Sequence, residues 1–500
     1  MRHLHGTSQA VAWLRERGCR SLQADSRRVG PGDGFVAWPG AAADGRRFVH
    51  QALAAGAAAC LVERDGVEAF AFDDERIATL GHLKTASAPL AADFYRQPSE
   101  ALDVVAITGT NGKTSSAWWL AQLLQAAGQP CAVVGTLGLG QPGGAWTNTG
   151  LTTPDPFMFQ GGLRGFADNG VRACAVEASS IGIVEGRLDA TRVAVALFTN
   201  FTQDHLDYHG DMASYWRAKR ALFDWAGLRA AVVNIDDPQG AALALELAQR
   251  AELDLWTVSI TEPGARLRVS EHAVTARGMS CVIREAGDPT PTAPLELPLV
   301  GSYNLSNLVG VIAAARALGV DLRSAIGACA ALTPVPGRMQ VVPADAGAPL
   351  VLVDYAHTPD ALDKALVALQ PLAGKRQGRL WCLVGCGGDR DPIKRPLMAA
   401  VAEREADVLL LTSDNPRSED PLAILAQMSA GLREPSRARV LPDRAEAIAQ
   451  AVRAAAPQDV VLIAGKGHED YQDIQGQRHP FSDVLHATAA LAARGPGAQA

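Results

Sequence analysis

The feature that most constrains the fold is a glycine-rich turn, GTNGKTS at residues 109–115, which lies between an apolar run and a stretch with helical periodicity. Backbone N–H groups of such a turn, followed by a helix N-terminus, bind phosphate oxygens. We expect Lys113 to reach the β- and γ-phosphates of a nucleotide and Thr114 to place its hydroxyl on Mg²⁺. The general pattern GxxxxGK[ST] has glycine where this chain has Ile107, so the sequence predicts a variant phosphate-binding loop (P-loop).

The rest of the chain alternates short β-branched runs with alanine-rich stretches, which is typical of parallel α/β sheets. With 500 residues the chain is too long for one core. Proline-containing polar stretches at residues 96–100 and 332–340 suggest linkers. We therefore predict an α/β protein with a small N-terminal α/β domain at residues 1–100, a central P-loop ATPase domain with a mainly parallel sheet at 101–335, and a C-terminal Rossmann-like domain at 336–500.

Composition restricts the classes of partner. A net charge of −7 over this length gives no basic footprint, so we expect neither nucleic acid nor a membrane surface as partner. No apolar run approaches the length of a membrane span, and the first ten residues have no apolar core of a signal peptide. The eight cysteines are scattered without zinc spacing and are expected to be buried thiols in a cytoplasmic protein.

Polar clusters follow four apolar runs of the last segment. In open α/β sheets, ligands bind beyond the carboxyl ends of the strands. The expected rim consists of Asp354, His357, Arg390, Asp414, Asn415, Arg417, Lys466 and Glu469. Loops are ordinarily polar, so any one of these residues can be present without a ligand. Four consecutive loops rich in arginine and carboxylates favour a charged, zwitterionic small molecule as ligand.

Three residues of the middle segment suggest metal chemistry. Glu177 ends an apolar run, His205 lies in a stretch crowded with aspartates and histidines, and Lys219 follows on a helix-like stretch. Singly they read as a capping carboxylate, a loop histidine and a solvated lysine. Together, oxygen ligands and an imidazole beside a nucleotide loop indicate a Mg²⁺-dependent phosphoryl-transfer site.

The ordered motifs of the chain resemble the Mur ligase family over nearly its whole length. Besides the P-loop, the motifs are DSRR at 25–28, DHLDYHG at 204–210, GSYNLSN at 301–307, PVPGRMQ at 334–340, VDYAHTPD at 353–360, GCGGDRD at 385–391, DNPR at 414–417 and GKGHED at 465–470. The resemblance implies an ATP-dependent amide-bond ligase of peptidoglycan (cell wall) synthesis, and hence a role in cell shape and division. Such a ligase phosphorylates a carboxylate of the growing peptide, and an amine then displaces the phosphate.

The resemblance also implies the substrates and their sites. The substrates would be ATP, UDP-N-acetylmuramoyl-L-alanyl-D-glutamate and an amino acid, with Mg²⁺ as cofactor and a monomer as the working form. The expected ATP-binding residues are Gly109, Thr110, Asn111, Gly112, Lys113, Thr114, Ser115, Asn304, Asn307, Arg338 and Asp354. The residues expected to bind the UDP-muramoyl dipeptide are Ser26, His50, Gln51, Ala52, Thr152, Thr153, Ser179, Glu185 and Arg187.

By the same match, Lys113, Lys219 and His205 are the catalytic residues. One Mg²⁺ would lie near Thr114 and Glu177, and the other near His205 and Lys219. An ammonium group does not bind a cation, so the family's carbamylation of this lysine by CO₂ would convert Lys219 into a carboxylate-like ligand.

The DNPR motif accompanies meso-diaminopimelate in the family. This amino acid has a second carboxylate, which the fork of Arg417 can bind with two hydrogen bonds. Lysine lacks that carboxylate and would leave the guanidinium unpaired, so a site of this kind rejects it by roughly 10⁴ or more. The full set of expected diaminopimelate contacts is Arg390, Asp414, Asn415, Pro416, Arg417, Gly465 and Glu469.

Two positions depart from the family's pattern: Ile181 stands where a polar residue is frequent, and Glu185 where glutamine is usual. Three other functions are alternatives for a P-loop chain of this kind. A folylpolyglutamate synthetase gives no reason for the DSRR and DNPR motifs. A P-loop switch or motor conflicts with the small-molecule rim of the last segment. A nucleotide-binding module would release no phosphate in response to two further substrates.

Overall fold

The computed structural model describes residues 1–40, 43–275, 278–288, 294–297, 299–345 and 347–494. The chain divides into two compact units. The first comprises Met1–Val269, Arg284–Pro291 and Ser306–Leu332, and the second comprises Ser270–Ile283, Thr292–Leu305 and Thr333–Ala500.

The first unit begins with a five-stranded parallel sheet of order β1-β5-β4-β3-β2. Its elements are β1 (Arg2–His3), α1 (Thr7–Glu16), β2 (Ser21–Gln23), β3 (Asp33–Ala37), α2 (Val49–Ala54), β4 (Ala59–Glu63), β5 (Ile77–Leu80) and α3 (Leu83–Phe94). The residues of β4 are buried on both faces, as expected for a parallel strand covered by helices. Leu61 belongs to the core that contains Trp13 of α1, whereas Cys60 belongs to the core that contains Val49 of α2.

A larger, mainly parallel sheet follows in the same unit, with the order β14-β13-β12-β11-β6-β10-β7-β8-β9, to which β14 contributes its first residues, up to Val269. Its strands are β6 (Asp103–Thr108), β7 (Cys131–Gly135), β8 (Gly138–Gly140), β9 (Trp146–Thr147), β10 (Ala173–Glu177), β11 (Val195–Phe198), β12 (Ala230–Asn234), β13 (Asp254–Ser259) and β14 (Leu267–Thr275). Its helices are α4 (Lys113–Ala126), α5 (Pro156–Asp168), α6 (Ser180–Val184), α7 (Leu206–His209), α8 (Met212–Arg220) and α9 (Pro238–Leu247).

The position of β6 in this sheet determines which loops come together at the candidate site. β6 pairs in parallel with β10 on one side and with β11 on the other, with Ile107 opposite Glu177 and Thr108 opposite Phe198. The loops that follow these three strands therefore leave the sheet at the same edge. The predicted P-loop, the acidic strand end and the aspartate- and histidine-rich stretch are brought together by this register.

The chain continues through β15 (Gly278–Glu285), β16 (Leu295–Leu297), α10 (Ser302–Ala317) and α11 (Leu322–Ala328). The second unit then forms a sheet of order β17-β18-β22-β19-β20-β21, in which only β17 is antiparallel, and a separate hairpin, β23-β24. The remaining strands are β17 (Gln340–Val341), β18 (Leu350–Asp354), β19 (Leu380–Val384), β20 (Val408–Leu411), β21 (Ala438–Val440), β22 (Val460–Ala464), β23 (Tyr471–Ile474) and β24 (Gln477–Pro480). The helices are α12 (Pro359–Arg376), α13 (Lys394–Glu405), α14 (Pro421–Ser429), α15 (Arg444–Ala454) and α16 (Asp483–Ala492).

Several predictions from the sequence are confirmed by this architecture. The protein is α/β with mainly parallel sheets, and β18, β22, β19 and β20 are parallel neighbours whose carboxyl ends form one rim. All eight cysteines are free and buried. Among the described residues, no helix has the length and apolar character needed to cross a bilayer. The domain boundaries at residues 100 and 335 stay predictions.

Candidate active site

The P-loop of the first unit connects β6 to α4. Gly112 has φ 87°, a left-handed conformation that favours glycine, and a Cβ at this position would lie 2.3 Å from Oδ1 of Asn307. The Lys113 ammonium donates to the carbonyls of Gly109 and Thr110, both at 2.8 Å. Asn307 therefore lies against the loop, and the lysine is folded across it.

Glu177, at the end of β10, faces the P-loop as predicted. Its Oε2 accepts a hydrogen bond from the Thr114 hydroxyl at 3.0 Å, and its Oε1 accepts one from the Thr136 backbone N–H at 2.8 Å. Glu177 is buried, with 1 % of its surface exposed. A buried carboxylate beside a threonine hydroxyl supplies the oxygen ligands that Mg²⁺ prefers. Thr136 was missed by sequence reasoning, because it follows β7 without a recognisable motif.

Lys219 reaches the same loop from α8. Its ammonium donates to the Gly109 carbonyl at 2.7 Å and lies 4.3 Å from the ring centre of Tyr215. The side chain is 1 % exposed, and burial, together with the nearby Lys113 charge, lowers the pKa of Lys219 well below its ordinary value. The Tyr215 hydroxyl donates to Thr110 Oγ1 at 3.3 Å. Lys219 is thus a buried amine at the mouth of the P-loop.

His205 precedes α7 and is exposed, with φ 52°. Its ring packs edge-on against Tyr215, with centroids 6.2 Å apart, and its Nε2 lies 3.5 Å from Asp204 Oδ2. His209 also packs against Tyr215 and pairs with the Ser180 hydroxyl at 2.9 Å. Tyr215 therefore connects His205 with Lys219, the two residues predicted to share a metal.

The predicted dipeptide-binding residues adjoin Glu177. The Thr153 hydroxyl donates to the Glu177 carbonyl at 2.7 Å and pairs with Ser179 Oγ at 2.9 Å. Arg187 Nη1 donates to the Thr153 carbonyl at 2.9 Å. Thr152 Oγ1 lies 3.1 Å from the hydroxyl of Thr136, which also contacts Glu177. The structure thus places four of these residues in one polar network with the expected metal ligand.

Glu185, the departure from the usual glutamine, is paired within the first unit. Its carboxylate lies 2.8 Å from Lys84 Nζ of α3 and accepts a 2.6 Å hydrogen bond from the Tyr208 hydroxyl. The hydrogen bond from Lys84 is the main cause that lowers the pKa of Glu185. This glutamate therefore connects α3 to α7, the short helix that His205 precedes.

The residues expected to contact UDP lie at the first sheet. Ser26 begins a short 3₁₀ helix whose N-cap, Asp25, accepts from the Arg27 N–H at 3.0 Å. On α2, His50 and Gln51 are exposed, whereas Ala52 is fully buried in the core. Ala52 therefore presents no surface to a ligand in this structure.

In the second unit, β18 ends in Asp354. Its carboxylate accepts from the backbone N–H groups of Met339 at 2.6 Å and Ala356 at 2.8 Å, and burial raises its pKa. The Arg338 guanidinium stacks 4.5 Å over the Tyr355 ring. Asn304, at the start of α10, donates from Nδ2 to the Val300 carbonyl at 2.8 Å. The Asp354 carboxylate thus fixes the backbone next to Arg338. This structural role is one reason why a carboxylate stands at the end of β18.

The DNPR and GKGHED loops meet beyond β20 and β22. Asn415 Nδ2 donates to Glu469 Oε2 at 2.7 Å, and Lys466 Nζ donates to Asn415 Oδ1 at 3.0 Å. Asp414 is 7 % exposed; burial raises its pKa, against the opposing charges of Arg444 and Lys466. A Cβ at Gly465 would lie 2.5 Å from Asp414 Oδ2, so glycine is needed for this approach.

Arg417 is anchored at its backbone and at its side chain. Its N–H donates to the Asp473 carbonyl at 2.9 Å, and its Nη1 donates to the Gly388 carbonyl at 2.6 Å. Pro416, the residue before it, is buried, and Arg390 is exposed on the loop after β19. Of the predicted diaminopimelate contacts, the structure brings Asp414, Asn415, Gly465 and Glu469 together, sets Arg417 against the neighbouring glycine loop, and leaves Arg390 in solvent.

Two buried arginines that support these loops were missed. Arg444 forms a double hydrogen bond with Asp483, 2.7 Å for each pair, and both side chains are fully buried. Arg395 binds Glu419 with two 2.8 Å hydrogen bonds and also reaches the Gly387 carbonyl. Both arginines lie in ordinary helical stretches, so only the three-dimensional structure identifies their partners.

Comparison with known proteins agrees with this geometry. Three family models match the chain: "Mur ligase family, catalytic domain" at residues 19–95, "Mur ligase middle domain" at 107–315 and "Mur ligase, glutamate ligase domain" at 337–467. The chain belongs to the Mur ligase family. This Mur ligase is 58% identical to the UDP-N-acetylmuramoyl-L-alanyl-D-glutamate--2,6-diaminopimelate ligase of Acidovorax sp. (strain JS42), with 97% of each chain covered.

Further relatives bear the same name. The Pseudomonas aeruginosa protein is 46% identical, with 95% of each chain covered. A solved structure of a UDP-N-acetylmuramoyl-L-alanyl-D-glutamate--2,6-diaminopimelate ligase is 35% identical, covers 96% of each chain and has a TM-score of 0.65. A folylpolyglutamate synthase of Mycobacterium tuberculosis is similar in fold, with 20% identity and a TM-score of 0.60. The three-domain Mur ligase architecture predicted from the sequence is confirmed at the level of the family.

Proposed function

We propose that this Mur ligase adds meso-diaminopimelate to UDP-N-acetylmuramoyl-L-alanyl-D-glutamate at the expense of ATP, in peptidoglycan synthesis in the cytoplasm. The observation that carries the choice of amino acid is the anchored Arg417, whose Nη1 is held by the Gly388 carbonyl. A guanidinium fixed in this way presents its remaining N–H groups to a carboxylate. Diaminopimelate has that carboxylate on its far carbon, whereas lysine does not.

The first unit supports phosphoryl transfer. Thr114 and Glu177 fit one Mg²⁺, because a hydroxyl and a buried carboxylate face each other at 3.0 Å beside the P-loop. The ion would supply charge neutralisation to the phosphates. Lys113 would exchange its two loop carbonyls for phosphate oxygens when the nucleotide binds, since its ammonium already lies across the loop.

Lys219 fits the role of a carbamylated ligand. Burial and the Lys113 charge lower its pKa, so its amine is more readily neutral and nucleophilic than that of an exposed lysine. The nitrogen lone pair would attack the carbon of CO₂, and loss of one proton would leave a carbamate with one negative charge. Together with His205, which contacts the same Tyr215 ring, the carbamate would complete the second Mg²⁺ site.

The reaction then follows in two steps. The γ-phosphoryl group passes from ATP to the carboxylate of the D-glutamate residue, so that a P–O bond to ADP breaks and a P–O bond to the carboxylate forms. The amine of the amino acid attacks the activated carbonyl, and phosphate leaves as the amide forms. The network of Thr152, Thr153, Ser179 and Arg187 next to Glu177 supports placing the dipeptide end at the P-loop.

The domain assignment is part of this proposal. Residues 1–100 would bind the UDP moiety, 101–335 would bind ATP, and 336–500 would bind the amino acid. Three separate family matches, which fall within these ranges, support it.

The decisive test is phosphate release by the purified protein with ATP, Mg²⁺ and UDP-N-acetylmuramoyl-L-alanyl-D-glutamate, with meso-diaminopimelate and L-lysine compared at equal concentration. We expect release with diaminopimelate alone, and a tripeptide product by mass spectrometry. Release with lysine instead would retain the ligase and refute the role given to Arg417. No release with either amino acid would contradict the proposed function.

A further inference from the structure

Lys466, one of the residues expected at the rim of the second unit, is a fully buried cation to which the proposed function gives no role. Lys466 lies between Gly465 and Gly467, whose φ angles are 115° and 54°, and its own side chain is 0 % exposed. A Cβ at Gly467 would lie 2.7 Å from both the Gly337 carbonyl and Tyr355 Cβ. The two glycines thus let the backbone turn so that the lysine points inward, although a lysine is almost never fully buried unless it is paired.

The contacts of the ammonium determine how Asn415 is oriented. Asn415 Oδ1 receives hydrogen bonds from Lys466 Nζ at 3.0 Å and from the Asp473 backbone N–H at 3.0 Å. Both partners are obligatory donors, so the atom that faces them must be the amide oxygen. The Asn415 NH₂ group is thereby turned toward Glu469 Oε2, to which it donates at 2.7 Å.

The same ammonium lies 3.1 Å from Glu469 Oε2. That oxygen therefore receives two donors, whereas Oε1 accepts no hydrogen bond from any residue that the structure describes. Glu469 is partly exposed, with 19% of its side chain accessible. Among the described contacts, one carboxylate oxygen is therefore held by two donors and the other by none.

We propose that Lys466 is a positioning residue of the amino-acid site: its ammonium fixes the Asn415 amide and balances the Glu469 carboxylate. The group left to meet the substrate is then Oε1 of Glu469, an acceptor for an ammonium, because Asn415 is 2 % exposed whereas the Glu469 side chain is partly accessible. This acceptor fits either ammonium group of diaminopimelate. The inference rests on the proposed function for the identity of the amino acid, but the geometry applies to any zwitterionic ligand.

The test measures KM for each of the three substrates in Lys466→Met, Lys466→Gln and the control Lys364→Met, which removes an exposed ion pair of α12. We expect Lys466→Met to raise KM for the amino acid on the order of 10- to 100-fold, since hydrogen bonds to a charged group are lost, and to leave KM for ATP and for the UDP-dipeptide unchanged. Lys466→Gln keeps an N–H donor for Asn415 and should lose less. Lys364→Met should match the unmodified protein.

A double-mutant cycle separates positioning from general stability. If Lys466 balances Glu469, the effects of Lys466→Met and Glu469→Gln on KM for the amino acid will be less than multiplicative in the double variant. Multiplicative effects, an equal rise of all three KM values, or unfolding of both Lys466 variants would overturn the proposal. KM is measured with whichever amino acid the unmodified protein uses. A substrate other than diaminopimelate would therefore refute the proposed function, while the same KM comparison would still test the role of Lys466.

Discussion

Replacing Arg417 by alanine tests the choice of amino acid most directly. The guanidinium is anchored through Nη1 to the Gly388 carbonyl at 2.6 Å, so its orientation is fixed before the ligand binds. Removing one partner of a buried, hydrogen-bonded charge pair costs about 2–5 kcal/mol, which corresponds to about 30- to 5,000-fold in kcat/KM for diaminopimelate. Lysine has no carboxylate at that point, so its kcat/KM should not fall.

The assay is phosphate release with each amino acid in turn, and the measured quantity is the ratio of the two kcat/KM values. Arg417→Lys keeps the charge without the fork and should give an intermediate ratio. Arg439→Ala, at an exposed arginine of β21, is the matched control and should leave the ratio unchanged. An unaltered ratio in Arg417→Ala would refute the reasoning, because selectivity would then come from another part of the site.

Three further perturbations follow from the described contacts. Glu177→Gln removes the charge that faces Thr114. The Mg²⁺ concentration for half-maximal activity should then rise by at least roughly 10- to 100-fold, the effect typical of disturbing the surroundings of a metal ligand. An unchanged Mg²⁺ titration would argue against this ion site. Because burial lowers the pKa of Lys219, a larger fraction of its amine is neutral and able to take up CO₂ at a given pH than in an exposed lysine, and this fraction falls on acidification. Activity lost in CO₂-depleted, mildly acidic buffer should therefore return with bicarbonate, with a carbamate signal in carbon-13 NMR that Lys219→Met lacks. Arg444→Met leaves Asp483 buried without its partner and should lower the free energy of unfolding by about 3–5 kcal/mol in urea titrations, whereas Arg439→Met should not.

The strands and their order of appearance were predictable from the sequence because parallel strands buried on both faces read as continuous apolar runs. The runs that end in Glu177, Asp354 and Ala464 are examples. The order of the strands within each sheet was not predictable from the runs alone. The placement of β6 between β10 and β11 depends on which crossovers the helices make, and a single sequence does not contain that information.

The residues of the candidate site likewise divide into those that the sequence predicted and those that it did not. Residues within contiguous motifs, such as Lys113, Lys219 and Arg417, were predicted because their chemistry is tied to a local pattern. Thr136 and Arg395 were not, since each acts through partners that are distant in sequence: Glu177 is 41 residues from Thr136, and Glu419 is 24 residues from Arg395. Supporting hydrogen bonds of this kind have no local spacing that a sequence pattern could reveal.

The P-loop and the proposed amino-acid site differ in the groups that they offer to a ligand. The P-loop offers backbone N–H groups of a turn in which Gly112 has φ 87° and Asn307 leaves no space for a Cβ, so its selectivity for phosphate is built into the main chain. The proposed amino-acid site would instead use the side chains of Arg417, Asn415 and Glu469, which are held by Lys466 and by the Gly388 carbonyl. A few side-chain substitutions can therefore change which amino acid is accepted, whereas the phosphate contacts depend on the backbone turn as well as on the side chains of Lys113 and Thr114.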